Sequence, residues 1–152
     1  MKSFYSWLEN IHDKHLIIMR GLPGSGRTNK AKTLGIGGVI YSTDDFSDEY
    51  DFDKIKNYEE KNQHKTELAM RKGITPIVID NMNIKAEDMK PYVKLGDIYG
   101  YKIKIELPDN GWIWEPKQLA VKNTKKIPQH VLEKMLDDFE HDVKINKLRC
   151  EN

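Results

Sequence analysis

The eight residues Gly21-Leu22-Pro23-Gly24-Ser25-Gly26-Arg27-Thr28 constrain this chain more than any other segment. They meet the pattern G-x-x-x-x-G-K-[ST] at every fixed position but one, where arginine stands for lysine. An apolar run, His15-Leu16-Ile17-Ile18-Met19, precedes them and reads as a short buried strand. Asn29-Lys30-Ala31-Lys32-Thr33-Leu34, which follows, reads as a helix start. Strand, glycine loop and helix together make the setting of a phosphate-binding loop. The glycines let successive N–H groups turn inward and form an anion nest at a helix N-terminus. A Gly/Pro-rich turn without a ligand would use the same residue types. It would not need Thr28 directly after the arginine, nor a buried-type strand before the first glycine.

At 152 residues the chain is expected to form one domain with a sizeable core. No apolar run approaches a membrane span, and residues 1–10 carry no signal-peptide core. The single cysteine, Cys150, implies no disulfide, so cytosol or nucleus is the expected compartment, with no membrane partner. A net charge of +1 gives no global pull toward nucleic acid. The charges are unevenly spread, however. Residues 44–60 are rich in Asp and Glu, whereas 117–126 hold Lys117, Lys122, Lys125 and Lys126 without an acid. A solvated face is the ordinary explanation of either run.

Residues 3–13 read as an amphipathic N-terminal helix with Phe4, Trp7, Leu8 and Ile11 on one face, and 1–14 as a segment preceding the main domain. The domain itself is expected over 15–147, with 148–152 as a tail. A second strand is expected at 39–42, a long helix at 53–72, a third strand at 76–80 and a helix at 85–99 with Pro91 at a turn or kink. Residues 101–107 alternate with period two, as a more exposed strand does. A loop bearing Trp112 and Trp114 follows, and a last helix is expected over 129–147. Strands alternating with helices predict an α/β fold with a largely parallel sheet and helices on both faces. Ligands bind such sheets at the carboxyl ends of the strands. Those ends carry the glycine loop, Asp44-Asp45 and Asp80-Asn81, so three polar clusters are expected to share one crevice.

Gly21, Pro23, Gly24, Ser25, Gly26, Arg27 and Thr28 are the candidate nucleotide-binding residues, for ATP or GTP. The loop amides would cradle the β-phosphate and Thr28 would offer its hydroxyl to Mg²⁺. Arg27 keeps the charge of the usual lysine on a wider, planar fork, so binding can survive while transfer falls. Asp80 ends an Ile-Val-Ile run. It reads either as a second metal ligand beside Thr28 or as a strand-end acid capping the next turn. Asp44 is the candidate general base, on the premise that its strand lies beside the loop strand. Asp45 reads as the cap of the following turn. Lys122, Lys125 and Lys126 read equally as a solvated basic loop or as a mobile lid over the transferred phosphate.

Four segments, LIIMRGLPGSG, STDDF, GITPIVIDNMNI and the stretch from Trp112 to Phe139, resemble the polynucleotide 5′-kinase domains of the P-loop fold. The branch is the one found in Nedd-four-binding-type proteins, and the resemblance runs from about residue 15 to 141. It implies a P-loop NTPase three-layer sandwich and ATP-dependent phosphorylation of a 5′-hydroxyl on DNA or RNA. It also implies catalytic roles for Asp44, Arg27 and Lys122, and a metal shell of Thr28 and Asp80. The departures fall at charge-handling positions. The loop lysine is Arg27, the lid arginine is Lys122, and Asn-x-His-Gly becomes Asn123-Thr124-Lys125-Lys126. Ser47 stands where the related phage kinase uses an arginine on the substrate phosphate, and Glu59 stands where a histidine is typical. Two functions follow as expectations: an active or weakened ATP-dependent kinase acting on a polynucleotide 5′-end, or a pseudokinase that binds nucleotide, RNA or a protein partner. Acceptor identity, oligomeric state and pathway are not legible in the sequence.

Overall fold

The computed structural model describes residues 13–47, 51, 53–109, 115–123 and 126–149. The expected N-terminal helix, the Trp112–Trp114 loop, Lys125 and Cys150 lie outside them. Four strands, β1 (His15–Met19), β2 (Val39–Tyr41), β3 (Ile77–Ile79) and β4 (Lys102–Glu106), form one sheet in the order β2-β3-β1-β4. All three pairings are parallel, with Ile18 opposite both Ile79 and Ile105, and Ile40 opposite Val78. This order corrects one premise of the sequence reading. The strand that leads to Asp44 is not beside the loop strand; β3 lies between them.

Side chains alternate across a strand, and the two faces fill differently. Ile17, Met19, Val78 and Ile40 face a thin layer completed by Ala31 and Leu34 of α1 (Arg27–Leu34). Leu16, Ile18, Ile77 and Ile79 face the larger core, with Ala69 and Met70 of α2 (Ile55–Arg71) and Met89, Tyr92 and Val93 of α3 (Ala86–Tyr99). The result is three layers, helices on both sides of a parallel sheet, as expected from the alternation of elements. Pro91 sits within α3, which runs unbroken past it. Gly96 of the same helix marks a close approach, since a Cβ there would lie 2.9 Å from the Ile103 side chain.

Beyond the carboxyl edge of the sheet lies a separate small core of Leu22, Leu119, Ile127, Leu132, Met135 and Phe139. It joins α4 (Pro116–Lys122) and α5 (Gln129–Asp138) to the glycine loop. Two expectations are corrected here. The basic segment begins as a helix with Pro116 at its first position, and the helix expected over 129–147 is two. The chain leaves helical geometry at Phe139 and resumes as α6 (Ile145–Leu148), whose Leu148 joins the main core. The periodicity of Val131 to Leu136 is local and carried no sign of that break.

One buried arginine ties this small core to the sheet. Arg20, which follows β1, donates from Nε to the Asn83 carbonyl (2.9 Å) and from Nη2 to the Ile84 carbonyl (2.8 Å). Its guanidinium lies 4.2 Å from the centre of the Phe139 ring. Burial lowers its pKa to about 10, against the opposing pull of Glu140 and Asp88, so it stays charged at neutral pH. Arg20→Ala is expected to destabilise the fold by about 3–5 kcal/mol, through two unpaired carbonyls and a cavity under Phe139. Urea denaturation checks this, and a loss below about 1 kcal/mol would remove Arg20 from that role.

Candidate functional site

The loop between β1 and α1 wraps the helix N-terminus with two glycines in the left-handed region, Gly24 at φ +84° and Gly26 at φ +90°. Gly26 is the N-cap, no side chain caps the helix, and no acid occupies its first turn. The amide end of α1 thus carries its partial positive charge without a protein anion on its own first turn. Ser25 Oγ is buried and has no hydrogen-bond partner among the described residues. Gly24 has a second reason to be glycine. A Cβ there would meet the Leu119 carbonyl oxygen of α4 at 2.5 Å, so α4 packs directly on the loop backbone.

Arg27 does not extend outward from the loop. It is 7% exposed, and each of its three guanidinium nitrogens faces an acceptor on the protein. Nε donates to Asp80 Oδ1 at 2.6 Å, Nη1 donates to the Gly21 carbonyl at 2.7 Å, and Nη2 lies 3.9 Å from Asp44 Oδ2. Thr28 Oγ1 donates to the other Asp80 oxygen at 2.9 Å. Both oxygens of this buried carboxylate are therefore engaged from the loop. Asp44, about half exposed, stands at the cavity side of the cluster. The three strand ends converge as expected, even though β2 is two strands away from β1.

What brings Asp44 into reach is Asn81. Its Oδ1 accepts from the Thr43 amide (2.9 Å), which pins the start of the 3-10 turn Thr43–Phe46 to the end of β3. A reciprocal cap shapes that turn: Ser42 Oγ accepts from the Asp44 amide, and Asp45 Oδ2 accepts from the Ser42 amide. Asp45 thus takes the capping part expected of it. A cavity of about 730 Å³ spans the glycine loop, Thr43, Asp44, Asn81, Lys32 and Lys122. Lys122 is brought to the same cavity as Asp44 and Arg27. Lys32 is a cation that sequence reasoning passed over; its position four residues after Thr28, on the same face of the helix, was the available signal.

A second cavity of about 320 Å³ adjoins the first, with Thr43, Ile55, Asn81 and Met82 lining both. Glu59, Glu87 and Asp88 give it an acidic wall. Glu59 accepts from the Tyr92 hydroxyl (3.2 Å) and from Asn81 Nδ2 (3.3 Å), while Asn62 Nδ2 donates to the Tyr92 oxygen (2.9 Å). Burial pushes the Glu59 carboxyl up to about 7, the Asp88 charge adds to the rise, and the Tyr92 hydrogen bond opposes it. Tyr92 is itself raised, mainly by burial.

The folded chain holds the Glu59 proton more tightly than the unfolded chain. Between about 4.5 and about 7 the native state therefore binds more protons, and stability falls as pH rises through that window. Glu59→Gln is expected to abolish this part of the slope and to stabilise the protein above pH 7 by on the order of 1–3 kcal/mol. Urea melts of both proteins across the window check it. Parallel pH profiles would show that Glu59 titrates normally.

A family model described as an AAA domain matches residues 16–141. The chain is 38% identical to human NEDD4-binding protein 2 across 86% of its length, which is 8% of that protein. It is 29% identical to rat 2′,3′-cyclic-nucleotide 3′-phosphodiesterase across 85% of its length, which is 32% of that protein. Among solved structures, a chain of the Pnkp1/Rnl/Hen1 RNA repair complex superposes with a TM-score of 0.66 at 19% identity. That match covers 84% of this chain and 44% of the other, and it speaks for the fold alone. The chain thus spans less than half of each of these relatives, and among its described residues no helix is long and apolar enough to cross a membrane. With a parallel four-stranded sheet, a glycine loop at the end of β1 and a family match over most of its length, the chain belongs to the AAA-domain family of P-loop folds.

Proposed function

We propose that the larger cavity binds a nucleoside triphosphate, ATP or GTP, and passes its terminal phosphoryl group to a 5′-hydroxyl on RNA or DNA. One observation carries the reading: Asp44, Lys122 and the glycine loop line a single cavity although they come from three distant segments. The phosphate chain suits the loop, where an uncapped helix N-terminus and the unpartnered Ser25 hydroxyl face acidic oxygens well. Lys32 and Lys122 on the cavity wall would offset the charge that spreads over the leaving phosphates. Asp44, half exposed on the wall of the larger cavity, would accept the proton of the incoming hydroxyl. The name of one relative, a 2′,3′-cyclic-nucleotide 3′-phosphodiesterase, supports an acceptor that contains a nucleotide.

P-loop transferases generally use a divalent cation between nucleotide and protein. Thr28 and Asp80 are the residues that would face it. As they stand they do not fit: Asp80 is already bonded by a guanidinium and by the Thr28 hydroxyl. The same feature favours the second reading, a pseudokinase that binds nucleotide, RNA or a protein partner without transfer.

Labelled ATP, Mg²⁺ and 5′-hydroxyl oligomers of RNA and DNA separate the two. End-labelling is expected, and Asp44→Asn is expected to lower its rate by about 10²–10⁴-fold with nucleotide affinity nearly unchanged. Labelling that Asp44→Asn retains in full would take the base away from Asp44. No labelling by the wild type leaves the binding module as the function.

A further inference from the structure

The arginine at the lysine position has been drawn into the place where a metal would act. Asp80 is 3% exposed and ends β3 directly beneath the loop. An uncompensated carboxylate there would be costly, and something positive must sit against it. Arg27 does so at 2.6 Å, while its two other nitrogens face the Gly21 carbonyl and Asp44. A lysine ammonium gathers its three donors on a single compact nitrogen and meets only acceptors that crowd round that one point. The planar fork spreads its donors over three nitrogens, and so holds two carboxylates from two different strand ends around one positive charge.

We infer that Arg27 is the resident cation of this site, and that a nucleoside triphosphate binds the loop without Mg²⁺. The inference rests on the nucleotide-binding reading above and goes beyond it. For Mg²⁺ to ligate Asp80, a buried guanidinium would have to leave a bond it makes with almost no solvent to replace it. Phosphate recognition does not need that exchange. Gly24, Ser25, Gly26, Lys32 and Lys122 all line the cavity, and none of them is among the side-chain partners of Asp80, which are Arg27 and Thr28. The loop lysine of the usual motif is pictured at the phosphates with the metal beside it. Here the side chain at that position serves the carboxylates, and the phosphates are left to the amides and the two lysines.

Calorimetric titration of ATP into the whole chain, once with Mg²⁺ and once with a chelator, tests this. The wild type is expected to change in Kd by less than about threefold between the two, whereas Arg27→Lys is expected to bind at least about tenfold more weakly in the chelator. In thermal melts without nucleotide, Mg²⁺ should raise the midpoint of Arg27→Lys and leave the wild type unmoved. Should Arg27→Lys fail to fold, Asp80→Asn replaces it: its ATP affinity is expected to shift by the same factor in both buffers. A wild type that binds ATP only with Mg²⁺, or an Asp80→Asn loss confined to the Mg²⁺ buffer, overturns the inference and leaves nucleotide binding intact. No ATP binding in either buffer overturns both.

Discussion

A buried ion pair organises this molecule. Arg27 opens α1 and Asp80 closes β3, and the 2.6 Å bond between them joins the loop on one strand to the end of its neighbour. Two charges out of water stay there only when each has its partner and its remaining polar atoms are satisfied. Both conditions hold. The guanidinium also donates to the Gly21 carbonyl, and the carboxylate also accepts from Thr28. The loop is thereby tied to one acid at its seventh and eighth residues, and its first residue is tied to the same guanidinium. Removing either partner would strand a buried charge, which typically costs about 3–5 kcal/mol.

From Asp80 the order spreads through its chain neighbour. Asn81 points its carbonyl oxygen at the Thr43 amide and its amide at Glu59 and Tyr92. One side chain thus sets the height of Asp44 at the end of β2 and joins α2 to α3 beneath the smaller cavity. Asn83, two residues on, donates to the Met19 carbonyl and offers its own carbonyl to Arg20. The run Asp80-Asn81-Met82-Asn83 therefore connects Arg27, Thr28, the turn that carries Asp44, Glu59 and Arg20, more than a strand end with one acid.

The electrostatics of the two cavities differ. The larger holds Lys32 and Lys122 near a helix N-terminus, a setting for phosphates. The smaller is walled by Glu59, Glu87 and Asp88 with Lys56 as its one cation among the described residues, a setting that repels a phosphate backbone. Glu59 softens that repulsion, because burial raises its pKa to about 7 and leaves it substantially protonated near neutrality. Under the proposed transfer, a nucleic-acid acceptor would enter with its uncharged hydroxyl end foremost.

The layered architecture was legible in the chain itself. The apolar run Leu16–Met19 and the Ile-Val-Ile run of β3 mark the strands, because a parallel strand buried on both faces needs apolar residues at successive positions. The glycine loop was equally legible, since Gly24 and Gly26 supply backbone angles that other residues resist. Asp44, Thr28, Asp80 and Lys122 could be singled out as chemistry at strand ends and in the basic segment. Tertiary structure alone decided the rest. The order β2-β3-β1-β4 comes from crossovers whose packing no local pattern encodes, and it left Asp44 two strands from the loop. The long side chain of Arg27 can reach either toward a phosphate or back to an acid. Which it does depends on a carboxylate 53 residues away, buried by folding in a place where water cannot compensate it.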